Sequence, residues 1–248
     1  MSGGKLKLNF NNKYIRKILH VMKITKKDVK DDFRESISKT NHNGIDSAVW
    51  ARRSDELEKQ FFDCPEIEIL HIKRTAIWQF DPVFDTKNGT IFLLFSDKNL
   101  NRIRNTYLKK GKSSHYTLSF LLKNEGIFPK SEQLHFFSSN KEEIETEKER
   151  RKKDIQKMLG KNADNVKKVV MVSVTYINDT AIDAELLDYD SNFKLRESQN
   201  VSDLLNLTFS VDNNTNDMSD GIISHEDSQT NNQLVTLKQK KAKKDNKN

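Results

Sequence analysis

Apolar positions recur along this chain in two registers. From residue 12 to about 40 the spacing is helical. Tyr14, Ile15, Ile18, Leu19 and Met22 fall on one face, with Lys13, Arg16, Lys17, His20 and Lys23 around the rest. Thr25 with Asp28 marks a second helix start, and Val29, Phe33 and Ile37 follow at intervals of four. After a polar break at Asn41 to Gly44, Asp46 is placed to cap a helix from Ser47 to about Phe62, with Val49, Leu57 and Phe61 facing inward. The register then changes. Ala76, Trp78 and Phe80 alternate with Ile77 and Gln79, the period of two of a half-buried strand. Ile91 to Phe95 is continuously apolar, as in a strand covered on both faces. Asn88-Gly89 between these limbs predicts a hairpin with a type I′ turn, and Asp81-Pro82 predicts a bulge or an edge.

Downstream, Ser96 is expected to cap a helix that turns Leu100, Ile103, Tyr107 and Leu108 inward and Lys98, Arg102, Arg104, Lys109 and Lys110 outward. A further helix runs from Thr117 to about Asn124 and closes at Gly126. Gln133 to Phe137 reads as a short strand. Ser139 and Glu142 have the spacing of a capping box for a helix from Lys141 to Leu159, polar almost all round, with Glu147→Arg151 and Glu149→Lys153 in favourable order. Val169 to Ile177 and Ala181 to Tyr189 form a second hairpin about Asn178-Asp179, Phe193 and Leu195 add a strand, and Ser202 caps a last short helix. From Asp212 onward the Asn-, Asp-, Ser-, Thr- and Gln-rich composition predicts disorder. The fold class is therefore α+β: N-terminal helices packed on an antiparallel sheet built from two β-hairpins, then a disordered tail. Three regions follow, a basic helical one at 1–40, a core domain at 41–210 and the tail at 211–248.

Composition narrows the function classes. Of the 248 residues, 35% are hydrophobic and 32% charged, and no apolar run approaches the roughly 18 residues of a spanning helix. Met1 leads into lysines with no apolar segment, so a cytoplasmic location is expected. Cys64 is the only cysteine, which excludes an intrachain disulfide and any multi-cysteine zinc or iron–sulfur site. The net charge of +7 sits in arms. Residues 1–27 hold eight Lys or Arg and no acid, and the last eleven residues are again basic. The expected phosphate-contacting residues are Lys13, Arg16 and Lys17 in the first helix, and Lys98, Arg102, Arg104, Lys109 and Lys110 in the basic stripe. The tandem N-terminal helices also admit a helix-turn-helix reading, although any helical hairpin has that pattern. Trp50 with Arg52 and Arg53 would suit stacking and phosphate contact if exposed; a buried indole beside solvated arginines is the expectation.

Established chemical motifs are absent. There is no phosphate-cradling glycine loop, no His-Glu-x-x-His and no calcium loop. His115 beside Ser114 reads as a packed ring and a cap. Glu58, Asp81 and Asp85, with Lys73 or Lys87, offer one enzymatic alternative, a Mg²⁺-dependent nuclease of restriction-endonuclease type in which carboxylates hold the ion and a lysine steadies the attacking water. The only acid-x-Lys step among them, Asp85-Thr86-Lys87, lies at the expected turn, where aspartate is an ordinary turn former. No catalytic residue, metal or cofactor is assigned. The order WQFDPVFDTKNGTIFLLFS, a basic helix, then SSHYTLSFLL resembles an uncharacterised domain-of-unknown-function family of low-GC Gram-positive bacteria and their prophages, over about residues 45–205. The resemblance implies a setting near mobile elements and carries no activity. The leading expectation is a non-enzymatic protein that binds nucleic acid or a nucleic-acid-associated protein. The alternatives are the nuclease and a protein-binding inhibitor module.

Overall fold

Residues 10–76, 78–128 and 141–206 are described by a computed structural model. The expected strand at 133–137, the capping box at Ser139 and the tail from Asp212 lie outside these residues, and all that are described belong to one compact unit. Among them no helix is long and apolar enough to cross a membrane.

The N-terminal helices are α1 (Asn12–Met22), α2 (Lys26–Ser36) and α3 (Ile45–Phe61). Asn11 caps α1 by accepting from the Lys13 amide, and Thr25 and Asp28 form a capping box on α2. Val29 and Phe33 are buried, but Ile37 is 68% exposed because α2 ends one residue before it. Gly44, not Asp46, is the N-cap of α3, in a left-handed conformation.

A six-stranded sheet follows, in the order β1 (Ile67–Ile69), β4 (Val83–Asp85), β5 (Thr90–Ser96), β6 (Lys168–Ile177), β7 (Thr180–Tyr189), β8 (Leu195–Asn200). Neighbours are antiparallel except β5 and β6, which run parallel. A parallel pair needs a crossover. Here it is supplied by α4 (Asp97–Lys110), α5 (Tyr116–Leu121) with a 3-10 turn at Leu122–Asn124, and α6 (Lys141–Leu159). Residues along β5 and β6 alternate between two cores. Phe92, Leu94, Val170, Val172 and Val174 join α1, α3 and α7 (Asp203–Asn206) on one face, while Ile91, Leu93, Phe95, Val169 and Met171 join α4, α5 and α6 on the other. The continuous apolar run at 91–95 is thus covered on both sides, as its pattern predicts.

The second hairpin is as expected. Asn178 and Asp179 take φ of 49° and 55° between the paired Ile177 and Thr180, as a type I′ turn requires. The first hairpin needs correction. The Ala76–Phe80 alternation does not build the limb beside Asn88-Gly89. That limb is β4, and the loop to β5 has four residues, with only Gly89 at positive φ. Gln79–Phe80 is instead a short strand, β3, paired with β2 (Ile72–Lys73). The pairs Ile69↔Val83 and Ile72↔Phe80 lie three residues apart on both strands, so β1–β4 and β2–β3 are one antiparallel arm in a single register. It is interrupted where Pro82 has no N–H to donate; the Pro82 carbonyl still accepts from the Leu70 amide at 3.0 Å. The arm ends in the segment that carries Arg74 and Trp78.

Candidate nucleic-acid interface

Leu100 and Ile103 seat α4 on the sheet. Helical spacing then gathers Lys98, Arg102, Asn105 and Lys109 into one outward stripe, and Lys98, Arg102, Lys109 and Lys110 are all exposed. Leu108, expected inward, is 44% exposed. None of those four cations makes an ion pair among the described residues; the Arg102 guanidinium donates only to Asn99 Oδ1, at 2.9 Å. The other strongly charged helix is built differently. On α6, Glu147 holds Arg150 at 2.7 Å and Arg151 at 3.0 Å, Glu149 holds Lys152 at 2.6 Å, and Lys148 reaches Glu125 at 2.6 Å. Arg104 leaves the stripe: its Nε donates to the Phe193 carbonyl at 3.3 Å and its guanidinium lies 6.0 Å from the Tyr189 ring.

Beside α4 stands an aromatic group. Tyr116 and Phe80 stack at 4.0 Å, Trp78 stacks on Phe80 at 5.5 Å and lies 5.3 Å from Tyr116, and His115 packs on Tyr116 at 4.5 Å. Tyr116 and Phe120 are buried, whereas Trp78 is 42% exposed. The loop carrying Trp78 is closed by the Arg74 and Thr75 amides, which both donate to the Trp78 carbonyl. Arg74 is anchored to Asp154 on α6 at 2.5 Å, and that carboxylate also accepts from the Ser119 hydroxyl at 2.7 Å. His115 is the N-cap of α5. Its Nδ1 accepts from the Thr117 amide at 3.4 Å and lies 2.9 Å from the Thr117 hydroxyl, which suits a neutral ring with its proton on Nε2. Burial, then the charges of Arg102 and Arg74, push its pKa down to about 4. The charges of Arg102 and Arg74, from different elements, thus add to the effect of burial on this ring.

The N-terminal candidates are dispersed. Lys13 is exposed. Arg16 is half-buried, with Nε enclosed and without a hydrogen-bond partner. Lys17 is a correction: it is buried, and its ammonium donates to the Gln60 carbonyl at 2.5 Å, to Asp63 at 2.6 Å and to the Cys64 sulfur at 3.4 Å. It closes the end of α3 and is not placed to meet a phosphate. Its pKa is raised, because the Asp63 and Cys64 contacts outweigh the opposing burial. The expectation at Trp50 is reversed as well. The indole is 39% exposed, and Arg53 is the buried partner, donating to the Met22 and Ile24 carbonyls and to the Tyr176 hydroxyl. Arg53 caps the end of α1 and lies over the Trp50 ring at 4.7 Å.

The carboxylates of the nuclease alternative do not converge. Glu58 and Asp81 flank His71, which takes Asp81 on Nδ1 at 2.7 Å and Glu58 on Nε2 at 2.9 Å. Asp85 is buried elsewhere and accepts from the Asn88 amide and side chain, so it is the turn former that its position implies. Glu66, Asp85 and Lys87 border one depression of about 460 Å³ beside Asn11 and Tyr14. Among the described residues no three His, Cys, Asp or Glu side chains are grouped to hold a metal ion.

Sequence reasoning missed Arg74 and Trp78. No local signal marks them, since Trp78 falls in an alternating run and is exposed because it lies beyond the last pair of the arm, Lys73↔Gln79. In comparisons with known proteins, the model of a family of unknown function (DUF5986) matches residues 7–248. No curated protein and no solved structure matches.

Proposed function

We infer that this chain, which belongs to the DUF5986 family of unknown function, binds nucleic acid without acting on it, and that α4 is the surface that meets the phosphates. One observation carries the reading: Lys98, Arg102, Lys109 and Lys110 are exposed on one helix with no carboxylate to neutralise them, whereas on α6 Lys148, Arg150, Arg151 and Lys152 are paired and only Lys153 and Lys157 are exposed without an ion pair among the described residues. Paired surface charge is a solvated stability device. Unpaired charge of one sign on one helix attracts a polyanion and releases its counterions on contact. Residues 97–112 contain six Lys or Arg and one acid, Asp97. Arg104 belongs to the fold, because its guanidinium is turned to Phe193 and Tyr189.

Binding of the full chain to labelled single-stranded and duplex DNA and RNA, followed by anisotropy across a salt series, tests this. For Lys98→Gln/Arg102→Gln/Lys109→Gln/Lys110→Gln, the slope of log affinity against log salt should be shallower by about 3, since each phosphate neutralised contributes about 0.7–0.9. An unchanged affinity and slope would remove α4 from the interface. No binding by the unaltered chain at low salt would overturn the nucleic-acid reading and favour a protein partner.

A further inference from the structure

We propose that the nucleic acid this chain takes is single-stranded, with one unpaired base laid on Trp78 and the neighbouring phosphates on Arg102 and the α4 lysines. The proposal rests on the reading of α4 above and adds the class of strand.

Three observations lead to it. The indole of Trp78 is supported from behind: it stacks on Phe80 with ring planes 26° apart, and Phe80 stacks on Tyr116, which is buried. A ring held this way but 42% exposed keeps a flat apolar face in solvent at little entropic cost, as a stacking platform requires. Next, platform and cations are contiguous. Trp78 meets Tyr116, Tyr116 lies 6.3 Å from Phe95, and Phe95 directly precedes Ser96, the N-cap of α4, whose Leu100 and Ile103 share a core with Tyr116 and Phe80. A strand whose base reaches Trp78 therefore runs its backbone toward the α4 stripe. Last, His115 with its proton on Nε2 is an uncharged donor between the two, able to meet a base edge or a phosphate oxygen. Arg74 is the positioning residue: its bond to Asp154 ties the loop to α6, and its amide donates to the Trp78 carbonyl.

The class of strand follows from geometry. Bases in a duplex are stacked on one another and present only edges in the grooves. An exposed indole beside a row of cations meets a base face only where the base is unpaired. The other exposed indole, Trp50, has its own cation lying over it in buried Arg53, whose donors are committed to Met22, Ile24 and Tyr176. Arg53 is therefore not available to a backbone, and of the two arginines beside Trp50 only Arg52 is exposed.

Trp50→Phe leaves Trp78 as the sole tryptophan, so its fluorescence reports the platform directly. Single-stranded oligonucleotides of about twelve residues, DNA and RNA, and the matching duplexes are titrated into this variant at low salt. Quenching is expected with single strands and not with duplexes. Trp78→Ala in the full chain should weaken single-strand binding about ten- to a hundredfold while leaving the salt slope unchanged, because the indole neutralises no phosphate. Trp78→Phe, which keeps a ring, should lose much less. Equal quenching by duplex, or single-strand binding unaffected by Trp78→Ala, overturns the proposal. If the α4 variant still lowers the salt slope in that case, the phosphate-binding reading stands and only the stacking platform falls. If no oligonucleotide binds, both fall.

Discussion

His71 and His115 share a side chain and are driven in opposite directions by what surrounds them. His71 has a carboxylate on each ring nitrogen, Asp81 across the arm and Glu58 from α3, with Gln79 also donating to Asp81. Both nitrogens must donate to satisfy both partners, which requires the charged ring. Burial opposes that charge, but Asp81 and then Glu58 outweigh it, and the pKa is raised above 6.5. The stability it contributes is complete below the unfolded value and is lost as pH rises through the folded one. Since the His71 ring and Glu58 are about half exposed, although Asp81 is nearly buried, the contribution is within about 1 kcal/mol. His115 is the reverse. Its pKa is held down to about 4 by burial and by Arg102 and Arg74, so its contribution is present above about pH 6.5 and is lost as pH falls toward 4. Urea midpoints measured from pH 4 to pH 9 should separate the two. His71→Gln should remove a decline that sets in as pH rises above about 6.5. His115→Asn, which keeps a capping acceptor, should lessen the decline on the acid side. A variant with the parent's full pH profile would contradict the assignment at that residue.

Among the elements, the loop between β4 and β5 does more than reverse the chain. Gly89 takes φ of +67°, and its carbonyl accepts from the Lys167 and Lys168 amides at the point where β6 begins its parallel pairing with β5. A Cβ there would meet the Asn165 carbonyl oxygen at 2.8 Å. Gly89→Ala therefore combines a left-handed residue with a backbone clash and should cost about 2–4 kcal/mol, read as a lowered urea midpoint. Substitution at Gly126, with nothing near its absent Cβ, bears only the conformational term and should cost less. If the two proved equal, the close approach at Asn165 would have no energetic weight. Helices α4 and α6 show the same dependence on surroundings for charge. Both are rich in lysine and arginine, but α6 places Glu147 and Glu149 within one turn of its cations. The acids of α4 are confined to Asp97, which accepts from Asn101.

Across the whole molecule, one buried amide joins the crossover layer to the sheet. Asn124, 1% exposed, donates to the Val169 and Tyr189 carbonyls and accepts from the Val169 amide at 2.7 Å. The β6–β7 ladder starts at Met171↔Leu187, so the side chain of Asn124 stands in for strand pairing just beyond the ladder's end. Every donor and acceptor in this arrangement is used, which makes a half-satisfied replacement costly. Asn124→Leu should destabilise the fold by about 2–4 kcal/mol, because three buried backbone groups lose their partner. A midpoint shift no larger than that of an exposed Asn105→Leu control would show that water replaces the amide.

The sequence by itself determined what depends on local spacing. The helices, the doubly covered strand at 91–95, the hairpin about Asn178-Asp179 and the outward stripe of α4 all follow from short-range periodicity and turn chemistry, and the fold has them. Contacts distant in sequence were decided by tertiary structure. The parallel pairing of β5 with β6 leaves no mark in either strand, because a strand buried on both faces has the same pattern in either orientation. Lys17 and Lys13 both read as basic positions on α1, and only the packing of α1 on α3 buries one with Asp63 and Cys64 while exposing the other. Trp50 reads as a core aromatic, since a large apolar ring is usually buried, and Trp78 as a position of an alternating strand. Trp78 stands half in solvent because it lies beyond the last pair of the arm, Lys73↔Gln79, and Trp50 because buried Arg53 takes the space beneath it. Periodicity fixes which face a residue occupies; burial of that face depends on elements far along the chain.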